Sequence, residues 1–202
     1  MKNKEKQHID IAVFGAVRPL KNHLTQAIAA IRFAEEKGKH MRFHINVTRI
    51  ENNGDPVLKN LRQLFENSDH ELVEHKWLDH DQFLDLISTM DMCLQVSFSE
   101  TFNIVTADAV SMNVPVVVSP EITWISRLFK AKPTDPDHIL KKMKLTWFLK
   151  YFNIQWINKF LLKRYSLNSE LIWLMHFFDV ELCECGCSCG GDPDCSCGCA
   201  KC

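Results

Sequence analysis

Five short apolar runs alternate with stretches of helical periodicity over the first 120 residues, and that alternation limits the chain to few folds. Residues 9–13 read as a buried strand closed by Phe14 and Gly15. Within 22–36, Leu24, Ile28, Ile31 and Ala34 recur at helical spacing. Met41, Phe43, Ile45 and Val47 alternate with polar residues, the period of a second strand. Asn52, Asn53, Gly54, Asp55 and Pro56 form a loop that caps a helix carrying Leu58, Leu61, Leu64 and Phe65. Residues 72–77 are a third strand. Asp79 then caps a helix with Phe83, Leu84, Leu86 and Ile87. A fourth strand at 92–96, a helix at 103–112 and a fifth strand at 114–118 complete the series. The last strand is apolar and β-branched, as a strand covered on both faces should be. The β-α order predicts an α/β fold: a doubly wound parallel, Rossmann-like sheet with right-handed crossovers. Ligands in such sheets lie outside the carboxyl ends of the strands, near the point where strand order reverses. Three loops qualify: 15–22, 77–80 and 97–103.

Composition agrees with a folded chain. The 202 residues are 46% hydrophobic and 24% charged, with a formal net charge of −1. This excludes a disordered or collagen-like chain and a strongly basic nucleic-acid binder, so no nucleic-acid partner is expected. Eight of the nine cysteines fall in the last twenty residues; the other is Cys93, mid-strand and expected in the core. Glu184, Asp192, Asp194 and Lys201 leave that tail at −2 and the rest of the chain at +1. The division expected is a Rossmann-like domain over 1–140, basic aromatic helices over 141–182 and a cysteine-rich tail over 183–202. Residues 1–8 are polar, and the apolar run that follows is too short for a signal core or a membrane span. The expected location is cytoplasmic, where thiols stay reduced.

Two of the three loops carry chemistry. Gly15-Ala-Val-Arg-Pro-Leu-Lys21 leaves the first strand and opens a helix, whose N-terminus suits an anion. Arg18 and Lys21 add cations that could pair with a diphosphate, or could be solvated charges at a helix start. Neither a P-loop nor a G-x-G-x-x-G pattern is present. His23 is either a further ligand contact or a solvated histidine. The segment 97–108 places Glu100 in a strand-to-helix loop and Asp108 about one and a half turns into the helix. Two carboxylates at one sheet edge suit a hydroxyl-rich ligand, since ionised carboxylates are strong acceptors. The plainer alternative is a helix-cap acid at Glu100 and a surface charge at Asp108.

Residues 77–119 resemble the signature region of the group 1 glycosyltransferases, the retaining GT-B class. The matching positions are Glu100, then Thr101-Phe102-Asn103, Asp108 eight positions after the first acid, Ala109, Asn113 and Pro115-Val116-Val117. The run from Phe83 to Met90-Asp91 is similar to the helix that precedes this region, and Gly15 to Lys21 resembles the family's first loop. The similarity covers 9–143. It implies a C-terminal donor-binding domain in which Glu100 holds the donor sugar, Asp108 the ribose and Lys21 the diphosphate. Amides near Thr101, Phe102 and Asn103 would meet sugar or phosphate, and Trp77 and Leu78 would border the base. Gly15 stands in the family's first loop, while Ala16 occupies the position of its arginine, so Arg18 would substitute. Glu100 and Lys21 are the implied catalytic pair. The implied donor is a UDP-, GDP- or ADP-sugar, and hexosyl transfer needs no cofactor. Two-domain enzymes of this class bind acceptor in an N-terminal domain, which a separate chain would supply if this chain is not a remnant. A non-catalytic nucleotide-sugar-binding module is the rival within the same fold.

Residues 141–164 hold seven Lys or Arg and no Asp or Glu, interleaved with Trp147, Phe148, Tyr151, Phe152, Trp156 and Phe160. Helices packed on the sheet or on a second domain account for this, and peripheral membrane contact through 141–165 is the alternative. A separate apolar helix is expected at 171–178. In the tail, Cys183, Cys185, Cys187, Cys189, Cys195, Cys197, Cys199 and Cys202 are mostly two apart. That spacing resembles a metallothionein segment, and thiolates so placed can converge on zinc or copper(I). Metal sequestration is therefore a third functional reading. His70, His75 and His80 recur every five residues around a strand and are read as surface or loop histidines rather than a metal site.

Overall fold

The computed structural model describes residues 8–177. Five parallel strands form one sheet: β1 (His8–Val13), β2 (His40–Asn46), β3 (Glu71–His75), β4 (Met92–Gln95) and β5 (Val116–Val118). Their spatial order is β3-β2-β1-β4-β5. The connecting helices are α1 (His23–Lys37), α2 (Gly54–Glu66), α3 (His80–Ser88) and α4 (Ile104–Ser111), followed by α5 (Pro136–Lys150) and α6 (Trp156–Phe177). The expected α/β, doubly wound parallel sheet is thus present. Strand order reverses between β1 and β4, so the loops leaving these two strands face each other at the carboxyl edge.

The core follows from the apolar runs. Ile9, Ile11 and Val13 of β1 join Met41, Phe43 and Ile45 of β2 and Met92 and Leu94 of β4 beneath Ala27, Ala30 and Phe33 of α1. α5 closes this layer with Ile139, Leu140 and Met143, and Trp147 meets Phe33 edge to face at 5.6 Å. Residues 140 and 141, where a domain boundary was expected, both lie inside α5. The chain groups into two compact units, one ending at Leu161 and the other beginning at Leu162.

Local chemistry sets most element ends. Gly38 terminates α1 at φ 60°, with its N–H on the carbonyls of Ala34 and Glu35. Asp79 caps α3 by accepting from the Gln82 amide at 2.9 Å, as expected. Four expected bounds shift. β3 stops at His75, where its pairing with Asn46 ends, which leaves Trp77 in the following loop. Pro115 cannot donate to a ladder, so β5 starts at Val116, although the Pro115 carbonyl still accepts from Cys93. Gly54, Asp55 and Pro56 belong to the first turn of α2, where a missing proline N–H costs no intrahelical bond. Residues 171–177 continue α6 rather than forming their own helix.

At the amino edge of the sheet, Asp91 ties three elements together. Its Oδ2 accepts from the Asp10 amide at 3.0 Å, its own amide donates to the Asp10 carbonyl at 2.8 Å, and its Oδ1 receives Lys150 Nζ at 3.2 Å. Lys150 also lies 5.1 Å over the Trp147 ring. Lys142 donates to the carbonyls of Arg127 and Leu128, and Lys144 pairs with Glu36. Three cations of the basic segment are therefore committed within the first unit. Phe148, Tyr151, Phe152, Trp156 and Phe160 remain exposed. No helix among the described residues is long and apolar enough to cross a membrane. The cysteines from Cys183 to Cys202 lie outside the described residues.

Candidate functional site

Lys21 and Glu100 meet at the reversal of strand order. Lys21 ends a 3-10 turn, Pro19–Lys21, in the loop after β1, and Glu100 lies in the loop after β4. Lys21 Nζ sits 2.7 Å from Glu100 Oε1, with side-chain exposures of only 9% and 8%. The lysine reaches this place by crossing Gly15. A Cβ on Gly15 would come within 3.4 Å of both Lys21 Cε and Nζ, and the Gly15 φ of 112° already favours glycine. The Gly15 amide is fixed by Asn46 Oδ1 at 3.0 Å.

Gln95, at the end of β4, was not anticipated from the sequence. It is 1% exposed. Its Nε2 donates to the Phe14 carbonyl at 2.8 Å. Its Oε1 accepts from Lys21 Nζ at 3.0 Å and from Asn103 Nδ2 at 3.1 Å. Asn103, at φ 58°, caps α4 through Oδ1, which accepts from the amide and hydroxyl of Thr106 at 2.8 and 2.9 Å. The signal was present: a lone amide inside the apolar run Met92-Cys-Leu-Gln-Val96.

The other expected residues fall in three groups. Asp108 is engaged by His80, from the expected 77–80 loop, whose Nε2 lies 3.2 Å from Asp108 Oδ1, a pairing that the sequence did not suggest. Trp77 is 66% exposed on the loop before α3, Leu78 beside it is half-buried, and Thr101 is exposed. Phe102 is partly buried against Trp124, whose Nε1 donates to its carbonyl at 2.7 Å. Arg18 lies on the loop after β1, ahead of Lys21. Its guanidinium points to Glu51 at 3.8 Å, because the chain there is drawn to the β2–α2 loop by the Val17–Ile50 bridge.

His23 is not solvated. Its side chain is fully buried at the start of α1, and neither ring nitrogen has a hydrogen-bond partner among the described residues. Burial, reinforced by the Lys21 charge, pushes its pKa down to about 4, so the ring is neutral at pH 7. Cys93 is a buried free thiol whose pKa burial raises to about 12, which makes it inert. His75 stacks on His44 with its Nε2 2.8 Å from His44 Nδ1, and His44 Nε2 lies 3.0 Å from Asp10. Among the described residues no group of three or more His, Cys, Asp or Glu could hold a metal ion.

The site therefore offers one cation and one carboxylate in contact at the mouth of the sheet. A second carboxylate stands on α4, and an exposed indole lies at the far side of the third strand's loop. Asn22, the residue before α1, directs its amide to the carbonyls of Val96 and Pro133, so it does not cap α1 with its own side chain. The amides of that helix start, next to Lys21, suit an anion.

No family model and no curated protein matches the chain. Solved structures do. An E. coli trehalose-6-phosphate structure bound with UDP-2-fluoro glucose superposes with a TM-score of 0.65 at 14% identity, over 86% of this chain and 44% of that one. A UDP-forming α,α-trehalose-phosphate synthase from Burkholderia xenovorans gives 0.68 at 13% identity, over 86% and 44%. The C-terminal domain of a group 1 glycosyl transferase family protein from Francisella tularensis gives 0.63 at 16% identity, over 77% and 85%. The chain spans under half the length of the first two and most of the third. Its fold is the Rossmann-like α/β fold found in these GT-B glycosyltransferases.

Proposed function

We propose that this chain is the donor-binding part of a retaining glycosyltransferase that moves a hexosyl group from a nucleotide-sugar. The observation that carries the reading is the convergence of Lys21 and Glu100, from two loops far apart in sequence, at the strand-order reversal. In this reading the donor diphosphate lies against Lys21 and the amides that start α1. Glu100 leaves Lys21 to accept hydrogen bonds from sugar hydroxyls. Asp108 accepts from the ribose, and Trp77 and Leu78 border the base. As the bond from the anomeric carbon to the diphosphate oxygen breaks, Lys21 stabilises the charge growing on that oxygen. The acceptor oxygen forms its bond on the same face, and its proton passes to the departing phosphate. Acceptor positioning comes from a second domain, which the length of the trehalose-phosphate synthase structures makes room for.

Calorimetry of the full chain with UDP-, GDP- and ADP-sugars tests this, alongside Lys21→Ala and Glu100→Ala. Saturable binding that weakens at least tenfold in both variants supports it. Binding to none of the donors refutes it. Binding without turnover on any acceptor points to the non-catalytic module instead. For residues 183–202 we propose, from the Cys-x-Cys spacing, that the thiolates bind zinc or copper(I). Equal metal content in the full chain and in a variant with those eight cysteines changed to serine would refute that second activity.

A further inference from the structure

We infer that Gln95 is a positioning residue: it sets where the Lys21 ammonium sits and registers it against the start of α4. The inference rests on the donor-site reading above and deepens it.

The geometry permits only one orientation of the Gln95 amide. Its Nε2 is 2.8 Å from the Phe14 carbonyl, which only accepts, so Nε2 must face β1. Oε1 then faces the two donors Lys21 Nζ and Asn103 Nδ2, at 3.0 and 3.1 Å. A flipped amide would set its NH2 against an ammonium and a second amide donor, and its oxygen against a carbonyl. Both acceptor positions of Oε1 and one hydrogen of Nε2 are thus taken by the end of β1, the β1 loop and the α4 cap.

The consequence is chemical. An amide oxygen attracts the ammonium without neutralising it. Among the described residues Glu100 is the carboxylate in contact with Lys21, and it sits on a loop rather than in the sheet. A diphosphate that displaces Glu100 meets a full positive charge held at one height above the sheet, because Gln95 stays in place. A carboxylate at position 95 would cancel that charge, and an apolar side chain would release it. The same amide oxygen fixes Asn103, hence the first turn of α4 that carries Asp108 a turn later. The cation for the diphosphate and the carboxylate for the ribose therefore share one anchor, which sets their spacing.

The test uses the full chain and two readouts. The first is calorimetric titration with UDP, GDP and ADP of the parent, Gln95→Met, Lys21→Met and the double variant. The inference requires that Gln95→Met weaken nucleotide binding at least tenfold when Lys21 is present and less than twofold when it is absent. A loss of equal size in both backgrounds is what a general folding defect gives, and overturns it. So does binding within twofold of the parent in Gln95→Met. The second readout is the Lys21 side-chain Cε resonance, assigned through Lys21→Met and followed without ligand. It must move in Gln95→Met, and also in Gln95→Leu should the first variant fold poorly. If the parent binds no nucleotide, the donor reading falls. The hold of Gln95 on Lys21 is then decided by that resonance: a shift sustains it and an unchanged resonance overturns it.

Discussion

Breaking the Lys21–Glu100 pair should cost more than breaking an ordinary surface ion pair, and the structure sets the scale. At 2.7 Å, two unit charges at an effective dielectric of about 20 attract by roughly 6 kcal/mol. Both side chains are less than one-tenth exposed, so each has lost several kcal/mol of hydration that this attraction must offset. The net coupling is then about 1–3 kcal/mol. Removing one partner is worse than the coupling alone suggests. Lys21→Met strands the Glu100 carboxylate and also empties one donor from Gln95 Oε1, for a loss of about 3–5 kcal/mol. Glu100→Gln keeps an acceptor near Lys21 and should cost less. Urea unfolding at pH 7 under reducing conditions, followed by tryptophan fluorescence, gives the four free energies of the cycle. Trp124, bonded to the Phe102 carbonyl beside Glu100, reports locally. The coupling should change little between ~0.1 M and ~1 M salt, because a buried pair is poorly screened. A coupling below about 0.5 kcal/mol, or one that salt abolishes, would show that the two charges are solvated and that the site is not the closed pair described here.

His23 predicts an acid-side weakness. Its pKa falls from 6.5 in the unfolded chain to about 4 in the fold, so the neutral ring contributes stability above pH 6.5 that is lost as pH falls toward 4. The difference corresponds to about 3 kcal/mol. Denaturation of His23→Leu between pH 7 and 4.5 should show a slope shallower than the parent's, and an unchanged slope would contradict it. Gly54→Ala would put a Cβ 2.1 Å from the Val17 carbonyl oxygen and should lose about 2–3 kcal/mol. Gly38→Ala has open space but a φ of 60°, so only about 1 kcal/mol should be lost in the same urea assay. Asp79→Ala removes the α3 cap and should cost about 1 kcal/mol by thermal unfolding.

Strand and helix positions were legible because each element announces itself locally. An apolar strand such as 9–13 must be covered on both faces, and Asp79 marks a helix start by its own chemistry. The loop residues Lys21 and Glu100 were legible as types at a sheet edge, since an α/β fold directs ligands there. What the chain order hides is which of them touch. The engagement of Asp108 by His80 and of Lys21 by Gln95 joins segments that no local pattern relates. The bridge between Val17 and Ile50, which brings the Arg18 guanidinium toward Glu51, is equally hidden in chain order. For His23 the sequence left a ligand contact and a solvated ring open, and the packing at the start of α1 encloses the ring instead. Trp77 carried strand propensity, but β2 has no residue left to pair with it.

Asp91 gives the sheet a mechanical asymmetry. Its side chain and amide rivet the beginnings of β1 and β4 together and pin the far end of α5 to them. The opposite edge is laced instead by several separate bonds: the Gln95 amide on the Phe14 carbonyl, the Asn22 amide on the Val96 carbonyl and the Phe98 amide on the Leu20 carbonyl. The amino edge thus hangs on one residue, whereas the carboxyl edge shares its hold among many. Losing Asp91 would loosen β1, β4 and α5 together, while losing any one lace at the other edge leaves the rest in place.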